Sequence, residues 1–368
     1  MTKEKKFKKR KLWQKIIICL FLIILIIVLG FSALIGYLTL TEFNPDKEVP
    51  LKLTGKSQTN SVNKSREMTA VSWNIGYGAL GSDADFFMDG GKSVDTADKD
   101  GVNRNLKGIS SELNSLNPDF ILLQEVDTDA KRSSYINEAS KLQSELLNQD
   151  YQSSFAENFK VKFIPYPIPP IGKVNAGIMT LSKSKISEAT RVQLPCPFKW
   201  PTRVANLKRC LSINRLPIEG SDKELVIVNL HLEAYDDGEG KKAQAEMLRK
   251  YLQAEADKGN YVIAGGDFNQ TFSGTDTSIM KQFNGTWKPP VLDTNKFDKS
   301  WQFLMDTKTA SCRSLDKPLT SLNTNKFQFY IIDGFIVSSN IEVTSLETKQ
   351  MGFKNTDHNP VVLKFKLK

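Results

Sequence analysis

Residues Ile16 to Thr41 form a run of 26 residues without a charge, dominated by Ile and Leu and broken only by Gly30 and Gly36. At about 1.5 Å rise per residue, a helix of that length exceeds the roughly 30 Å hydrocarbon core of a bilayer, so it can span with tilt. A secretory signal has an apolar core of only about 7–15 residues and ends at a small-residue cleavage site. This run is longer and no clean A-x-A follows it, so we read it as an uncleaved anchor. Eight bases and one acid precede it within residues 1–15, a net charge of +7. The chain as a whole carries +9, which leaves +2 for the other 353 residues. Positive flanks stay cytoplasmic, so the N-terminus is expected inside and everything beyond Glu42 outside, as a single-pass plasma-membrane protein. The charge thus reports orientation, and the nearly neutral remainder offers little general attraction to polyanions.

The chain divides into a basic tail (1–15), a transmembrane anchor (16–41), a polar linker (42–67) and one domain (68–368). Within that domain, short β-branched runs alternate with helical patterns. Strands are predicted at 69–74, 120–125, 177–181, 207–215, 225–230, 261–264, 329–337 and 360–365. Helices are predicted at 102–116, where Leu106, Ile109, Leu113 and Leu116 share a face, and at 131–147 and 241–256. Together with a hairpin-like stretch at 176–192, this is an α/β pattern of sheets covered by helices. Residues 272–326 read as loop-heavy surface.

Polar residues gather where the predicted strands finish. Asn74 closes AVSWN, Gln124 and Glu125 close DFILLQE, His231 follows VIVNL, and Asp267 and Asn269 lie in YVIAGGDFN. Asp333 lies in FYIIDGF, and Asp357 and His358 in TDHNPVV. Both histidines of the chain belong to this set. One Asn or Asp after a strand is ordinarily a turn former; carboxylates, amides and both histidines at successive strand ends are a site. A hard cation such as Mg²⁺, with Mn²⁺ as its substitute, takes oxygen ligands of the kind Asn74, Glu125 and Asp357 supply. No Cys or second His lies at zinc-ligand spacing near them. In-line hydrolysis of a phosphate ester also needs a base for the water and donors for the phosphoryl oxygens; His231 and Asn269 are suited to the donor role.

The motifs WNIG, LLQEV, NLHLE, GGDFN, IIDGF and TDHNPVV, in this order, resemble the motif series of the endonuclease/exonuclease/phosphatase superfamily over residues 68 to 368. The resemblance implies a four-layered α/β sandwich, with two central mixed sheets flanked by helices. It implies that Asn74 and Glu125 are metal ligands with Asp357 beside that metal, and that Asp267 and Asn269 position the attacking water and the phosphate. By the same resemblance His231 contacts phosphate or acts as the acid, and Asp333 and His358 form a pair. Asp267 and His358 both stand as the base, and one metal or two are both open.

FFMDGGK (86–92) is either an ordinary Gly-Gly turn or a substrate-facing loop with Lys92 or the glycine N–H groups as candidates for a phosphate contact, and Asn175 is a candidate substrate-binding residue. FIPYPIPPIG (163–172) is an apolar, Pro-rich loop read first as a rigid connector, with resting on lipid or shaping the cleft as the alternative. Lys199, Arg203, Lys208 and Arg209 form a basic stretch, read as a solvated face, between Cys196 and Cys210, which are free to pair outside the cell. The expectation is a monomeric, membrane-anchored, metal-dependent phosphoric ester hydrolase acting outside the cytoplasm on a nucleic acid, a lipid head group or a sugar phosphate. The competing reading is a catalytically inactive binding or adhesion module on the same fold, yet every expected motif residue is present.

Overall fold

The computed structural model describes residues 11–236, 238–320 and 322–368, so the basic tail lies outside the described residues up to position 10. Helix α1 (Leu12–Leu40) runs 29 residues and is long and apolar enough to cross a membrane. It begins four residues before the apolar run.

Two seven-stranded mixed sheets follow. Their strands are β1 (Glu48–Pro50), β2 (Leu53–Gly55), β3 (Met68–Asn74), β4 (Phe120–Asp127), β5 (Gln152–Ile164), β6 (Gly172–Ser182) and β7 (Glu188–Gln193). Next come β8 (Cys210–Pro217), β9 (Glu224–His231), β10 (Tyr261–Asp267), β11 (Trp301–Leu304), β12 (Asp333–Ser338), β13 (Ile341–Thr348) and β14 (Val361–Leu367). One sheet has the order β1-β7-β8-β9-β10-β12-β11, and the other β13-β14-β3-β4-β6-β5-β2. Helix α2 (Lys99–Leu116) covers the outer face of the second sheet, and α3 (Glu239–Asp257) covers that of the first. This is the expected four-layered α/β sandwich.

Strand alternation decides which side chains meet between the sheets. Met68, Ala70, Phe120, Leu122, Leu363 and Phe365 from one sheet pack against Leu225, Ile227, Ile263, Phe335 and Val337 from the other. The intervening positions Val71, Trp73, Ile121 and Leu123 point outward to Leu106, Ile109 and Leu113 of α2. Counting on in steps of two from the inner residues arrives at Asn74, Gln124, His231 and Asp267, so the core-facing register carries these side chains inward at the strand ends. Asp333 shares that face and lies opposite Asp267.

Three expectations are corrected. The segment 42–67 is no spacer, because it supplies an edge strand to each sheet, β1 beside β7 and β2 beside β5, and buries Val62 in the inner core. Strands of three residues are too short to show a two-residue period. The helix predicted at 131–147 is broken: Ser134 and Tyr135 have φ of 53° and 58°, and only Glu138–Lys141 forms an α-helix, continued by a wider turn. The break follows Arg132, whose guanidinium turns inward to Asp127 at 2.9 and 3.1 Å. Residues 176–192 are not a hairpin, since β6 and β7 belong to different sheets and the chain crosses between layers there.

Glu255 of α3 is buried and paired with Arg215 at 2.7 Å. Burial raises its pKa, but hydrogen bonds from Arg215, Lys258 and Asn260 outweigh this and bring it down to about 2. The stabilisation is full above the ordinary Glu range and is lost as pH falls from about 4.5 towards 2. Glu255→Gln is expected to lower stability by about 2 kcal/mol at pH 7, discounted for the partly solvated arginine. In thermal unfolding of the detergent-solubilised chain, that gap should close towards pH 2.

Candidate active site

Strand geometry brings eight of the ten expected residues to one end of the sandwich. Glu125 would point outward by strict alternation. A register shift between Leu123 and Val126, with φ of +54° at Glu125, redirects it. Asn269, just past β10, also has a left-handed backbone, φ +50°. A side-chain-bearing residue in that region is uncommon and marks a position held by its surroundings. Gly266 precedes this turn because a Cβ there would sit 2.0 Å from the Leu230 carbonyl oxygen.

Asp267 is the hub. Its Oδ2 accepts from Asn74 Nδ2 across the two sheets at 3.1 Å and lies 3.5 Å from His231 Nε2 and 3.9 Å from His358 Nε2. Its Oδ1 accepts from the Asn269 N–H at 2.8 Å. Asn74 Nδ2 also reaches Glu125 at 3.3 Å, while its Oδ1 accepts from the Gly76 N–H. Asn269 Nδ2 donates to the Leu232 carbonyl. The TDHN segment is pinned from both sides. Thr356 donates to the Asn74 carbonyl at 3.0 Å, and the Trp73 indole donates to the His358 carbonyl at 2.9 Å. His358 Nδ1 donates to Asp333 Oδ2 at 2.9 Å, which directs Nε2 at Asp267 and Asp357.

The electrostatics separate the two histidines. Burial would push His358 down, but Asp333, with help from Cys312 and Asp357, holds it protonated well above its usual range. His231 falls well below its usual value through burial, with Arg209 and His358 adding to the effect. Burial, then Asp333, raises Asp267 to about 7 against the opposing pull of His358. Burial also raises Glu125 and Asp357, and the charge of Asp357 lifts Glu125 further. Four carboxylates, Glu125, Asp267, Asp333 and Asp357, thus face one imidazolium. That excess of oxygen donors and negative charge suits a hard divalent cation, and Asp267, Asp333 and His358 have ligand atoms within 4.8 Å of one another. As it stands Asn74 is a donor to Glu125 and Asp267, so the fit to a cation rests on Glu125 and Asp357.

Neither of the other two expected residues joins these contacts among the described residues. Lys92 is exposed, and its backbone N–H is held by Asp85. From the same loop, Asp89 comes to the site instead. Burial pushes it up to about 6, with Glu125 and Asp316 contributing, against a 3.4 Å hydrogen bond from Tyr235. Asn175 is half-buried on β6, one position outside the Asp127–Ala176 pairing, and its Oδ1 is buried without a hydrogen-bond partner among the described residues. Of the basic stretch, Lys208 and Arg209 are buried, not solvated. Lys208 pairs with Glu42 at 2.9 Å, and Arg209 joins Glu233 and the His231 carbonyl, each at 3.2 Å. Cys196 and Cys210 are free thiols. Sequence reasoning passed over Asp89, Tyr235 and Arg132; the nearest signal for Asp89 was its position two residues from paired aromatics, in the loop already singled out.

This geometry belongs to the metal-dependent phosphoric ester hydrolases. The sequence profile of the Endonuclease/Exonuclease/phosphatase family matches residues 71–318, and the chain belongs to that family. No curated protein matches the chain. Among solved structures, an endonuclease/exonuclease/phosphatase from Beutenbergia cavernae is 17% identical with a TM-score of 0.56, over 82% of this chain and 72% of that one. ANGEL2, described as a 2',3'-cyclic phosphatase, is 13% identical with a TM-score of 0.51, over 87% and 98% of the two chains. Truncated TDP2 of Caenorhabditis elegans is 16% identical with a TM-score of 0.50, over 82% and 98%. These likenesses are of fold.

Asp333→Asn removes the carboxylate that keeps His358 charged. Its titration midpoint, followed by NMR in a chain with only two histidines, should drop by about 1–3 pH units. An unchanged midpoint would show that Asp333 does not set that charge.

Proposed function

We propose that the chain is a single-pass, membrane-anchored phosphoesterase that uses Mg²⁺, with its catalytic domain outside the cytoplasm. The observation that carries the chemistry is the meeting of Asn74, His231, Asp267 and His358 around one carboxylate oxygen, Asp267 Oδ2. Glu125 and Asp357 would hold the cation, which when bound polarises a phosphoryl oxygen and offsets its charge. Asp267 takes the proton of the attacking water. Its carboxylate is oriented through Oδ1 by the Asn269 N–H, and its raised pKa of about 7 suits a base at neutral pH. His358, kept cationic by Asp333, stabilises charge building on the phosphoryl group, and the neutral His231 offers a hydrogen bond to the phosphate. Asn175, whose Oδ1 lacks a partner among the described residues, faces the ester from β6 in this reading. The anchor reading rests on the apolar length of α1 and the preceding positive charge.

The full chain in detergent is expected to hydrolyse bis-p-nitrophenyl phosphate with Mg²⁺ and to stop on chelation. Asp267→Ala should lower kcat by about 10²–10⁴-fold, the range for loss of a positioned base. Turnover surviving both treatments would overturn this chemistry. For the topology, protease added to intact cells should remove everything beyond Glu42, and a fully protected domain would reverse the orientation.

A further inference from the structure

The C-terminal end of α1 does not hang free of the domain. Leu34 and Leu38 pack into a cluster with Val161 and Ile164 of β5, Val174 of β6, and Val204, and Leu38 is only 3% exposed. Thr39 accepts from the Trp200 indole N–H at 3.1 Å, and Glu42 pairs with Lys208 and Arg203 at 2.9 and 3.3 Å. The domain therefore reaches at least six residues down the helix from Leu40, about 9 Å at 1.5 Å per residue, and its position relative to the anchor is fixed.

The strand register says which end of the sandwich is held there. β6 is antiparallel to β4, with Ala176 opposite Asp127, so the β5–β6 turn lies beyond the strand end that carries Glu125. β8 is antiparallel to β9, with Leu211 opposite Leu230, so the 194–209 connection, with Trp200, lies beyond the end that carries His231. The helix thus docks at the catalytic end. The side chains left bare around this junction are those of an interface: Ile168 is 95% exposed, Tyr166 72% and Trp200 57%. Lys162 and Lys199 are exposed beside them. Isolated exposed apolar residues are ordinary; Tyr, Trp and Ile beside the end of an apolar helix, with exposed lysines in the same two segments, match the composition of a membrane–water boundary. Tyr166 also touches Phe87, ring centres 6.4 Å apart, and two residues on, Asp89 feels the charge of Glu125. The loop at 86–92 therefore joins this surface to the rim of the carboxylate cluster.

We infer that Tyr166, Ile168 and Trp200 seat the catalytic end of the domain on the bilayer that α1 crosses, so that the site takes its phosphate ester from a lipid head group. The inference deepens the proposed phosphoesterase and rests on its membrane anchor. Docking of the helix end turns the strand ends towards the membrane and leaves the far ends in water. A lipid phosphodiester then reaches the Glu125–Asp357 side of the cluster by lateral diffusion, past the loop of Phe87 and Asp89. Water attacks its phosphorus and gives a proton to Asp267, while the bond to the leaving oxygen breaks; that oxygen keeps the electron pair and takes a proton from solvent, leaving a phosphomonoester and an alcohol.

The test uses the full chain reconstituted in vesicles of phosphatidylcholine, phosphatidylglycerol and sphingomyelin, with Cys19 and Cys196 replaced by Ser. A spin label is attached to Ile168→Cys or, as a control in the turn at the far end, to Ser221→Cys. The label at 168 is expected to be reached by oxygen and shielded from a water-soluble nickel complex, and the label at 221 the reverse. A water-exposed label at 168 overturns the seating. With Tyr166→Glu and Ile168→Glu together, hydrolysis of a bilayer phosphodiester is expected to fall about tenfold, while bis-p-nitrophenyl phosphate in the same vesicles changes by less than about twofold. Equal losses on both substrates, or soluble turnover with none of the three lipids cleaved, overturn the lipid assignment. If the unmodified chain cleaves neither, the phosphoesterase reading has failed, and the label depths still decide the seating.

Discussion

The hydrogen bond from Asn74 on one sheet to Asp267 on the other is the contact on which the catalytic end depends. Asp267 is 2% exposed, and an unpartnered carboxylate at that depth costs several kcal/mol. Its partners come from both layers: Asn74 from β3, the Asn269 N–H from the turn after β10, and the two imidazoles from β9 and the TDHN segment. The sheets cannot slide past one another without breaking that set. Rigid strand ends thus fix a group whose charge would be unstable on a flexible loop.

The inner space of the sandwich grades from apolar to polar along the strands. Midway, Gln124 donates to Asn229 at 2.8 Å, and Asn229 donates to the Leu123 and Met179 carbonyls, so buried amides tie the two layers together. Deeper in, Phe120, Leu122, Ile263 and Phe335 exclude water. At the open end the polar groups become titratable, and the core behind them keeps the local dielectric low. That environment keeps His231 neutral and raises Asp267, while Asp333 reverses the effect of burial at His358. Two residues of one type acquire opposite roles from what stands beside them.

Much was legible in the sequence where a signal is local. The inward register of Asn74, His231 and Asp267 follows from two-residue alternation. The face of α2 follows from Leu106, Ile109 and Leu113, and the motif order identified the family. Where the deciding partner is remote, the sequence was silent or misleading. Arg132 sits in a stretch with helical composition, but its side chain turns inward to Asp127, and the left-handed backbone at Ser134 and Tyr135 holds the helix back to Glu138. Lys208 and Arg209 look like a solvated basic face, yet each is neutralised by a carboxylate from another part of the fold, Glu42 and Glu233. Lys92 and Asp89 share one loop, and only the folded path of that loop turns the acid to the site and the base to solvent.

Composition, periodicity and motif order determined that this chain has an apolar helix behind a basic tail, a layered α/β domain, and a set of residues suited to phosphate-ester chemistry at its strand ends. These are properties of residues close in sequence, governed by hydrophobic length, alternation and charge. The tertiary structure decided the rest. It converted the apparent linker into two edge strands, bent Glu125 into the cluster through a bulge, charged one histidine and not the other, and packed the helix against the catalytic end. Each of these depends on contacts between segments that are distant in sequence, and no local pattern encodes the distance or burial that gives such contacts their energy.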